Sequence, residues 1–265
     1  MPAAAINGIN LYYETHGSGD EAFVFAHGAG GNHLSWWNQA PAFAERGRVV
    51  TFDHRAFGQS LDTNGLGAGA FVDDLEGLLD HLGIARATLI AQSMGGLSAM
   101  GFTLRYPSRV KALVMADTVL GIRDIVMADL DDGTKESMES VRQQRMAANV
   151  PTSSWALGPV FRARNPAGAF LYQQIADLNP PRDAAFLASG MSTATRMELA
   201  DLAVPILWLV GEDDAIMPPP MFRIAHSLTP SSRLVVVPGC GHSVYFEAPE
   251  AFNAIVMNFL GIAAT

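Results

Sequence analysis

Three residues of the types that cooperate in acyl transfer occur along this chain in the order serine, aspartate, histidine. Ser93 comes shortly after the apolar residues 89–91, and the two glycines Gly95 and Gly96 follow it. Asp214 lies in "GEDDAIMP" and His242 lies in "GCGHS". A serine hydroxyl is a weak nucleophile at neutral pH, so it needs an imidazole to take its proton and a carboxylate to orient that imidazole. The three residue types therefore predict a nucleophile, a general base and an orienting acid.

The elements that must position these residues alternate between strand and helix patterns. Helical spacing is strongest in "AFVDDLEGLLDHLG", "MGGLSAMGFTLRYP" and "PEAFNAIVMNFLG". Short apolar runs typical of buried strands are "NLYYE", "AFVFAHG", "RVVTFDH", "ATLIAQS", "VKALVMADT", "VPILWLVGEDD" and "RLVVVPGCGH". This rhythm predicts an α/β fold with a mostly parallel sheet and helices on both faces.

The rhythm breaks between residues 121 and 199. This stretch has no clear buried strand, is rich in methionine, and places Leu171, Ile175 and Leu178 at helical spacing. We therefore expect a core domain formed by residues 1–120 and 200–265, with 121–199 as a helical cap lying over the sheet.

The three reactive residues follow three different predicted strands. Ligands of open α/β sheets bind where parallel strands end, so Ser93, Asp214 and His242 are expected to meet at that edge. The oxyanion formed by attack on a carbonyl needs two aimed donors. We expect these to be the backbone N–H of Met94, directly after the serine, and that of Ala29 in the glycine-rich "HGAGG".

Several assignments have competing interpretations. Ser93 is also a favourable N-cap for the helix that follows it. Asp117, at the end of "LVMAD", and Asp213 are alternatives to Asp214 as the acid, and Asp214 ranks first. His33, Trp36 and Trp155 are candidate substrate-pocket residues, although buried aromatic residues are more often core. Cys240 and Glu247, near His242, are expected to be a small buried residue and a brace for the last helix.

Composition narrows the class of protein. The 265 residues include 26 acidic and 17 basic residues, giving a net charge of −9 with no basic run, which disfavours nucleic-acid binding. A single cysteine excludes an intrachain disulfide and a cysteine-based metal cluster. The N-terminus lacks a signal-peptide pattern and no run is long enough to span a membrane, so we expect a cytoplasmic monomer or homodimer acting on a small molecule. No metal or other cofactor is expected.

Five motifs together resemble the α/β-hydrolase superfamily, in particular its small esterases, lactonases and C–C hydrolases. They are "HGAGG", "DHRAFGQS", "AQSMGG", "GEDDAIMP" and "GCGHSVYFEAPEAF", in the family's order and spacing. The resemblance implies an eight-stranded, mostly parallel sheet with a cap, and the chain order Ser, Asp, His agrees with it. Two positions depart from the pattern, because Ala91 and Ala56 stand where the family usually has glycine.

The resemblance implies a cofactor-free serine hydrolase of a small, largely apolar ester or lactone. One alternative is a C–C hydrolase of ring-cleavage products, whose acidic substrates would need a basic cap residue. Candidates for that residue are Arg162, Arg164, Arg182 and Arg196. A perhydrolase would use the same triad, and a third alternative is a receptor that keeps the triad but acts through partner binding at the cap.

Overall fold

The structure, a computed structural model, describes residues 2–148, 150–181, 186 and 194–262. Eight strands in the described residues form one sheet in the order β1-β2-β4-β3-β5-β6-β7-β8. The strands are β1 Ala3–Ile6, β2 Ile9–His16, β3 Ala22–Ala26, β4 Arg48–Phe52, β5 Ala87–Gln92, β6 Val110–Ala116, β7 Ile206–Gly211 and β8 Ser232–Val237. β2 pairs antiparallel with both β1 and β4, and the other neighbouring strands pair parallel, which confirms the predicted, mostly parallel sheet.

Helices cover both faces of the sheet and fill the described part of residues 121–199. The α-helices are α1 Gln39–Ala44, α2 Phe71–His81, α3 Gly95–Arg105, α4 Arg123–Asp129, α5 Asp132–Ala148, α6 Ser153–Ala156, α7 Pro159–Arg164, α8 Pro166–Asp177, α9 Arg196–Ala200, α10 Pro219–Leu228, α11 Val244–Glu247 and α12 Pro249–Leu260. The described residues also include the short 3-10 helices His33–Trp36, Gly67–Ala70 and Pro107–Arg109. No described helix combines the length and the apolar character that crossing a membrane requires.

The first strand lies further upstream than the sequence pattern indicated. We expected the sheet to begin at Asn10, but β1 precedes it and pairs Ile6 with Ile9 across a two-residue turn. Asn7 and Gly8 both have positive φ, +44° and +77°. Asn-Gly is the preferred pair for such a turn because its twist matches that of the flanking strands.

Two apolar layers hold the central strands in place. Every residue of β5 is buried, as expected for a strand with parallel neighbours on both sides and helices on both faces. One layer includes Leu89, Met100 and Trp208, and the other includes Phe25, Trp36 and Phe252. The central strand that leads to Ser93 is therefore fixed from both sides.

Candidate active site

The turn that carries Ser93 is strained and sharply bent. β5 ends one residue before Ser93, α3 begins two residues after it, and the serine has φ +46°. A left-handed conformation of a residue other than glycine costs roughly 1–3 kcal/mol. A Cβ on Gly95 would lie 2.2 Å from the carbonyl oxygen of Ala26, so only glycine lets α3 pack this closely against β3. The strain exposes the hydroxyl at the end of the strand.

Ser93, His242 and Asp214 are joined by two hydrogen bonds. The Ser93 Oγ lies 2.9 Å from Nε2 of His242, and Nδ1 of the same ring lies 2.7 Å from Oδ2 of Asp214. A neutral imidazole that donates its Nδ1–H to the carboxylate leaves Nε2 free to accept the serine proton. Both His242 and Asp214 are buried. The sequence-predicted residues thus meet in the geometry of nucleophile, base and orienting acid.

The pKa of His242 reflects opposing effects. Burial by itself lowers the pKa of the imidazole, but the charge of Asp214 and its hydrogen bond outweigh burial, so the pKa is raised above its ordinary value. The nearby guanidinium of Arg145 lowers it again in part. The pKa of His242 is therefore set by a carboxylate from the sheet edge and by a cation from α5.

The three candidate acids occupy different places. Asp214 contacts the imidazole and also accepts the backbone N–H groups of Ile216 and Met217 through Oδ1, at 2.8 and 3.0 Å. Asp117 is buried, and its carboxylate accepts the N–H groups of Gly211 and Val244 at 3.0 Å each. These bonds tie Asp117 to the backbone around the site, whereas Asp213 is exposed. Geometry therefore favours Asp214 as the orienting acid.

Asp117 nevertheless influences the site. Burial and the charge of Asp214 together raise the pKa of Asp117 well above its usual range. Its backbone has φ +50°, so it occupies a strained turn at the end of β6, much as Ser93 does at the end of β5. A second carboxyl group thus sits beside the pair formed by His242 and Asp214.

The glycine-rich turn lies against the serine. A Cβ on Gly28 would be 2.0 Å from Oε1 of Gln92 and 3.0 Å from Cβ of Ser93, so this close approach requires glycine. Ala29 packs against the small apolar cluster that contains Met94, and Met94 is the N-cap of α3. The first N–H groups of a helix lack partners within the helix, which suits them to anion binding. Ala29 and Met94 thus belong to the same packed group, and their role as oxyanion donors stays a prediction.

Two buried histidines support this turn. Nδ1 of His27 lies 2.8 Å from the carbonyl oxygen of Gly28, and Nε2 of His27 accepts the N–H of His54 at 2.9 Å. Nε2 of His54 lies 2.9 Å from Oγ of Ser98 on α3. Burial and the neighbouring His27 lower the pKa of His54 well below its ordinary value, so the ring is neutral. The pair connects the glycine-rich turn to the helix that follows Ser93.

The three candidate pocket residues are placed differently. Trp36 is 0% exposed, and its ring centroid lies 5.0 Å from that of Phe25 and 4.8 Å from that of Tyr245. This corrects the expected pocket role of Trp36, because the indole is enclosed by core rings. His33 is 9% exposed, with Nδ1 2.8 Å from Oδ1 of Asp53. That bond engages His33 in the core domain, and its pocket role stays a prediction.

Trp155 lies on α6 and packs against the apolar cluster that contains Phe246, and its pocket role stays a prediction. A Cβ on Gly30 would be 2.8 Å from the methyl carbon of Thr152 and 3.3 Å from the hydroxyl oxygen of Tyr172. Tyr172 also lies 3.2 Å from Oγ of Ser243, next to His242. Neither Thr152 nor Tyr172 belongs to a sequence motif, and only long-range packing brings them here.

Arg145, a basic residue that interacts with Asp214 and His242, was not among the expected cap arginines. The guanidinium carbon of Arg145, on α5, lies 3.7 Å from the ring centroid of Trp155. Arg145 is close enough to Asp214 and His242 to interact electrostatically with both. By contrast, the side chain of Arg196 pairs with Asp129, Arg164 is exposed, and the candidate Arg182 lies outside the described residues.

Glu247 connects the helical segment to the histidine loop. One carboxylate accepts the N–H groups of Gly158 at 2.9 Å, Gly241 at 3.0 Å and Ser243 at 3.3 Å. Burial raises the pKa of Glu247, opposed by these N–H bonds. Glu247 was expected to brace the last helix, but its carboxylate instead holds the backbone on both sides of His242. Cys240 is buried as expected, and burial raises the pKa of its thiol to about 12.

Metal coordination has no visible basis in this region. Among the residues that the structure describes, no group of three or more histidine, cysteine, aspartate or glutamate side chains is arranged to hold a metal ion. The described polar groups around Ser93 are instead used in hydrogen bonds to one another.

Comparison with known proteins places these features in a family. The model of the α/β-hydrolase fold family matches residues 21–249. A 2-hydroxy-6-oxononadienedioate/2-hydroxy-6-oxononatrienedioate hydrolase of Burkholderia vietnamiensis is 29% identical over 95% of this chain and 91% of its own. A thermophilic esterase of Thermogutta terrifontis with malate bound has a TM-score of 0.79 at 26% identity, covering 99% of this chain and 97% of that one. For a bromoperoxidase of Bacillus anthracis the values are 0.77 and 27%, with 96% of each chain covered.

Proposed function

This chain belongs to the α/β-hydrolase fold family, and from that premise we propose that it is a serine hydrolase that cleaves a small, largely apolar carboxylic ester or lactone through an acyl-enzyme. The observation that carries the proposal is the unbroken path of hydrogen bonds from Ser93 through His242 to Asp214. Serine, rather than aspartate, at the strained turn favours acyl chemistry.

The reaction would proceed in two halves. His242 takes the proton of Ser93 as the hydroxyl attacks the carbonyl carbon, while the N–H groups of Ala29 and Met94 hold the oxyanion. His242 then protonates the departing alkoxide, which leaves the acyl group on Ser93. A water molecule, deprotonated by the same imidazole, attacks the acyl-enzyme and releases the acid. Asp214 holds the ring in one tautomer throughout.

Turnover of a simple ester tests the proposal. Wild-type protein should hydrolyse p-nitrophenyl butyrate, and Ser93→Ala should lose activity by about a million-fold if the triad acts as a unit. Gln92→Ala is not a suitable control because its side chain bonds to the carbonyl oxygen of His242. Ser227→Ala, on the exposed side of α10, is a matched serine control. Equal turnover by wild type and Ser93→Ala would refute the proposed nucleophile.

Hydrolysis of a C–C bond is the second candidate. It is favoured by the relative from Burkholderia vietnamiensis, which is a 2-hydroxy-6-oxononadienedioate/2-hydroxy-6-oxononatrienedioate hydrolase. The same triad would act on a ketone carbonyl of such a compound. Faster turnover of a vinylogous 1,5-diketone acid than of p-nitrophenyl butyrate would favour this candidate, and a dependence on Ser93 in both reactions would leave the shared mechanism intact.

Two further alternatives predict different behaviour in the same assay. A perhydrolase would release the acyl group to hydrogen peroxide as peracid, at a rate that competes with hydrolysis. A receptor would bind the ester with little turnover until a partner was added. Rapid hydrolysis by the isolated protein, without peroxide or partner, is the result that the proposed esterase or lactonase function predicts.

A further inference from the structure

A cavity beside the triad is lined by an excess of cations. It has a volume of about 200 Å³ and lies between α4, α5 and the backbone that follows Asp214. Its charged lining residues are Arg123, Lys135, Glu139, Arg142 and Arg145. Four cations and one carboxylate thus face the cavity in a chain whose overall net charge is −9. The summed charge of the lining side chains is therefore opposite in sign to the net charge of the protein.

The ion pairs around the cavity leave two of these cations available. Arg142 pairs with Glu139, and Lys135 pairs with Asp132, in both cases along α5. Neither Arg123 nor Arg145 has an ion-pair partner among the described residues, and Nε of Arg145 is buried without a hydrogen-bond partner there. A half-buried guanidinium without a carboxylate is costly unless a ligand supplies the missing acceptor.

Arg145 also connects the cavity to the reacting groups. The guanidinium of Arg145 lies over the ring of Trp155. Trp155 follows Thr152 closely in the chain, and the methyl group of Thr152 approaches Gly30 of the glycine-rich turn. Arg145 interacts electrostatically with both Asp214 and His242. The opposite wall of the cavity is formed by Ala215, Ile216 and Met217, directly after Asp214. The guanidinium thus lines the cavity and also interacts electrostatically with two residues of the triad.

The apolar residues that line the cavity indicate what the ligand should contain besides an anionic group. Met127, Met138, Ile216 and Met217 supply apolar and adaptable surface beside the cations. An apolar chain that ends in an anion matches this lining. The planar guanidinium of Arg145 suits a carboxylate in particular, because the two groups can form a pair of parallel hydrogen bonds.

We propose that this cavity is a carboxylate-binding subsite, so that the preferred substrate is an ester or lactone whose acyl chain ends in a free carboxylate held by Arg145 and Arg123. The inference rests on the proposed function and makes it more specific. The apolar part of the acyl chain lies against the methionines, the carbonyl meets Ser93, and the carboxylate replaces the missing acceptor of the Arg145 guanidinium.

A matched pair of esters tests the subsite. The p-nitrophenyl monoester of adipic acid carries a terminal carboxylate, and p-nitrophenyl heptanoate is its uncharged counterpart. Arg145→Gln, which keeps much of the side-chain length over Trp155, should lower kcat/KM for the adipate ester by about tenfold or more, as expected for loss of a charge-assisted hydrogen bond. The measure is the ratio of the two kcat/KM values, because a change in the pKa of His242 affects both esters alike, whereas loss of the subsite affects only the adipate ester.

Two other variants sharpen the result. Arg123→Gln should reduce the preference for the adipate ester in the same direction without removing the contact with Trp155. Arg164→Gln, an exposed arginine of α7 that does not line the cavity, should leave the ratio of the two kcat/KM values as in wild type. If the ratio stays at its wild-type value in both Arg145→Gln and Arg123→Gln, the subsite is refuted. If both esters are still hydrolysed in that case, the proposed function stands.

A binding measurement separates the subsite from the chemistry. Calorimetric titration of free adipate into Ser93→Ala should show binding that is lost in Ser93→Ala combined with Arg145→Gln. If wild type hydrolyses neither ester but this binding and its loss are seen, the proposed function fails and the anion site stands. Absence of adipate binding to Ser93→Ala, together with an unchanged ester ratio, would refute the subsite.

Discussion

The carboxyl edge of the sheet and the helical segment 121–199 contribute different kinds of residue to the same site. Ser93, Asp214 and His242 each lie within a few residues of the end of a strand, and short-range backbone geometry fixes them there. The segment contributes Arg145 and Tyr172 from helices whose sequence carries no recognisable motif. The placement of the three candidate catalytic residues therefore depends on local backbone geometry, whereas the placement of Arg145 and Tyr172 depends on long-range packing.

The two regions also differ in charge. The sheet edge brings the carboxyl groups of Asp117 and Asp214 close to His242, while α5 brings the guanidinium of Arg145. The carboxylates raise the pKa of His242 and the guanidinium lowers it. Substitutions at the sheet edge should therefore reduce the rate of the chemical step most strongly. Substitutions in residues 121–199 should instead alter substrate selectivity and shift the pKa of His242.

The largest expected difference lies between the two buried carboxyl groups. Asp214→Asn should lower kcat by roughly ten-thousand-fold, because an amide facing Nδ1 favours the wrong tautomer of His242. Asp117→Asn keeps one acceptor for its backbone partners and should have a much smaller effect on kcat. Steady-state kinetics of both variants on one ester measures the difference, and a larger loss in Asp117→Asn would assign the acid to Asp117 instead.

Glu247 offers a test of the connection between the two regions. Glu247→Gln replaces an oxygen acceptor by a donor facing the N–H groups of Gly158 and Gly241, so it should lower the free energy of unfolding by about 1–3 kcal/mol. Denaturant titration provides the measurement. Glu250→Gln, an exposed neighbour, should change the free energy of unfolding by less than about 0.5 kcal/mol. Equal changes in the free energy of unfolding in the two variants would show that Glu247 does not hold the two backbone segments together.

The pH dependence of activity should report the opposing charges around His242. The imidazole acts as a base only when neutral, so kcat/KM should rise with pH through the pKa of His242, which lies above its ordinary value. Arg145 disfavours the charged imidazole; removing it in Arg145→Gln should therefore raise the pKa and move this rise to higher pH. A shift to lower pH, measured with an uncharged ester, would contradict the placement of Arg145 near the base.

The smallest expected effect separates the two positions where alanine replaces the family's glycine. Ala56 has φ +65°, so Ala56→Gly should relieve strain and stabilise the protein by up to about 1 kcal/mol. Ala91 is a fully buried residue of β5, and Ala91→Gly should destabilise by about 1 kcal/mol through lost packing and added chain entropy. Thermal unfolding of both variants checks the signs, and the same sign in both would refute this distinction.

Much of the sheet and its reactive edge follows from sequence because the signals are local. Buried runs such as residues 22–26 indicate strands, and the glycines near Ser93 indicate a sharp turn that only small neighbours permit. Asn7-Gly8 is an equally local signal for the β1–β2 turn, although the first strand was expected only from Asn10. This part of the fold was therefore available in the sequence even where the prediction missed it.

The remaining features depend on contacts between distant residues. Trp36 and Trp155 are the same residue type with similar sequence surroundings, yet one is enclosed in the core and the other lies under Arg145. Nothing in the spacing of Arg145 distinguishes it from Arg164 or Arg196. Only the packing of α5 beside the Asp214 loop gives Arg145 its position, so a basic residue near the triad could be expected from sequence but not identified.

Labelling with a fluorophosphonate tests the central claim most directly. The probe reacts with a serine whose hydroxyl is deprotonated by a neighbouring base, so wild-type protein should gain one covalent adduct that peptide mapping places on Ser93. Ser93→Ala should gain none, and Asp214→Asn should be labelled far more slowly. An unlabelled wild-type protein, or an adduct on any other residue, would contradict the assignment of Ser93 as the nucleophile.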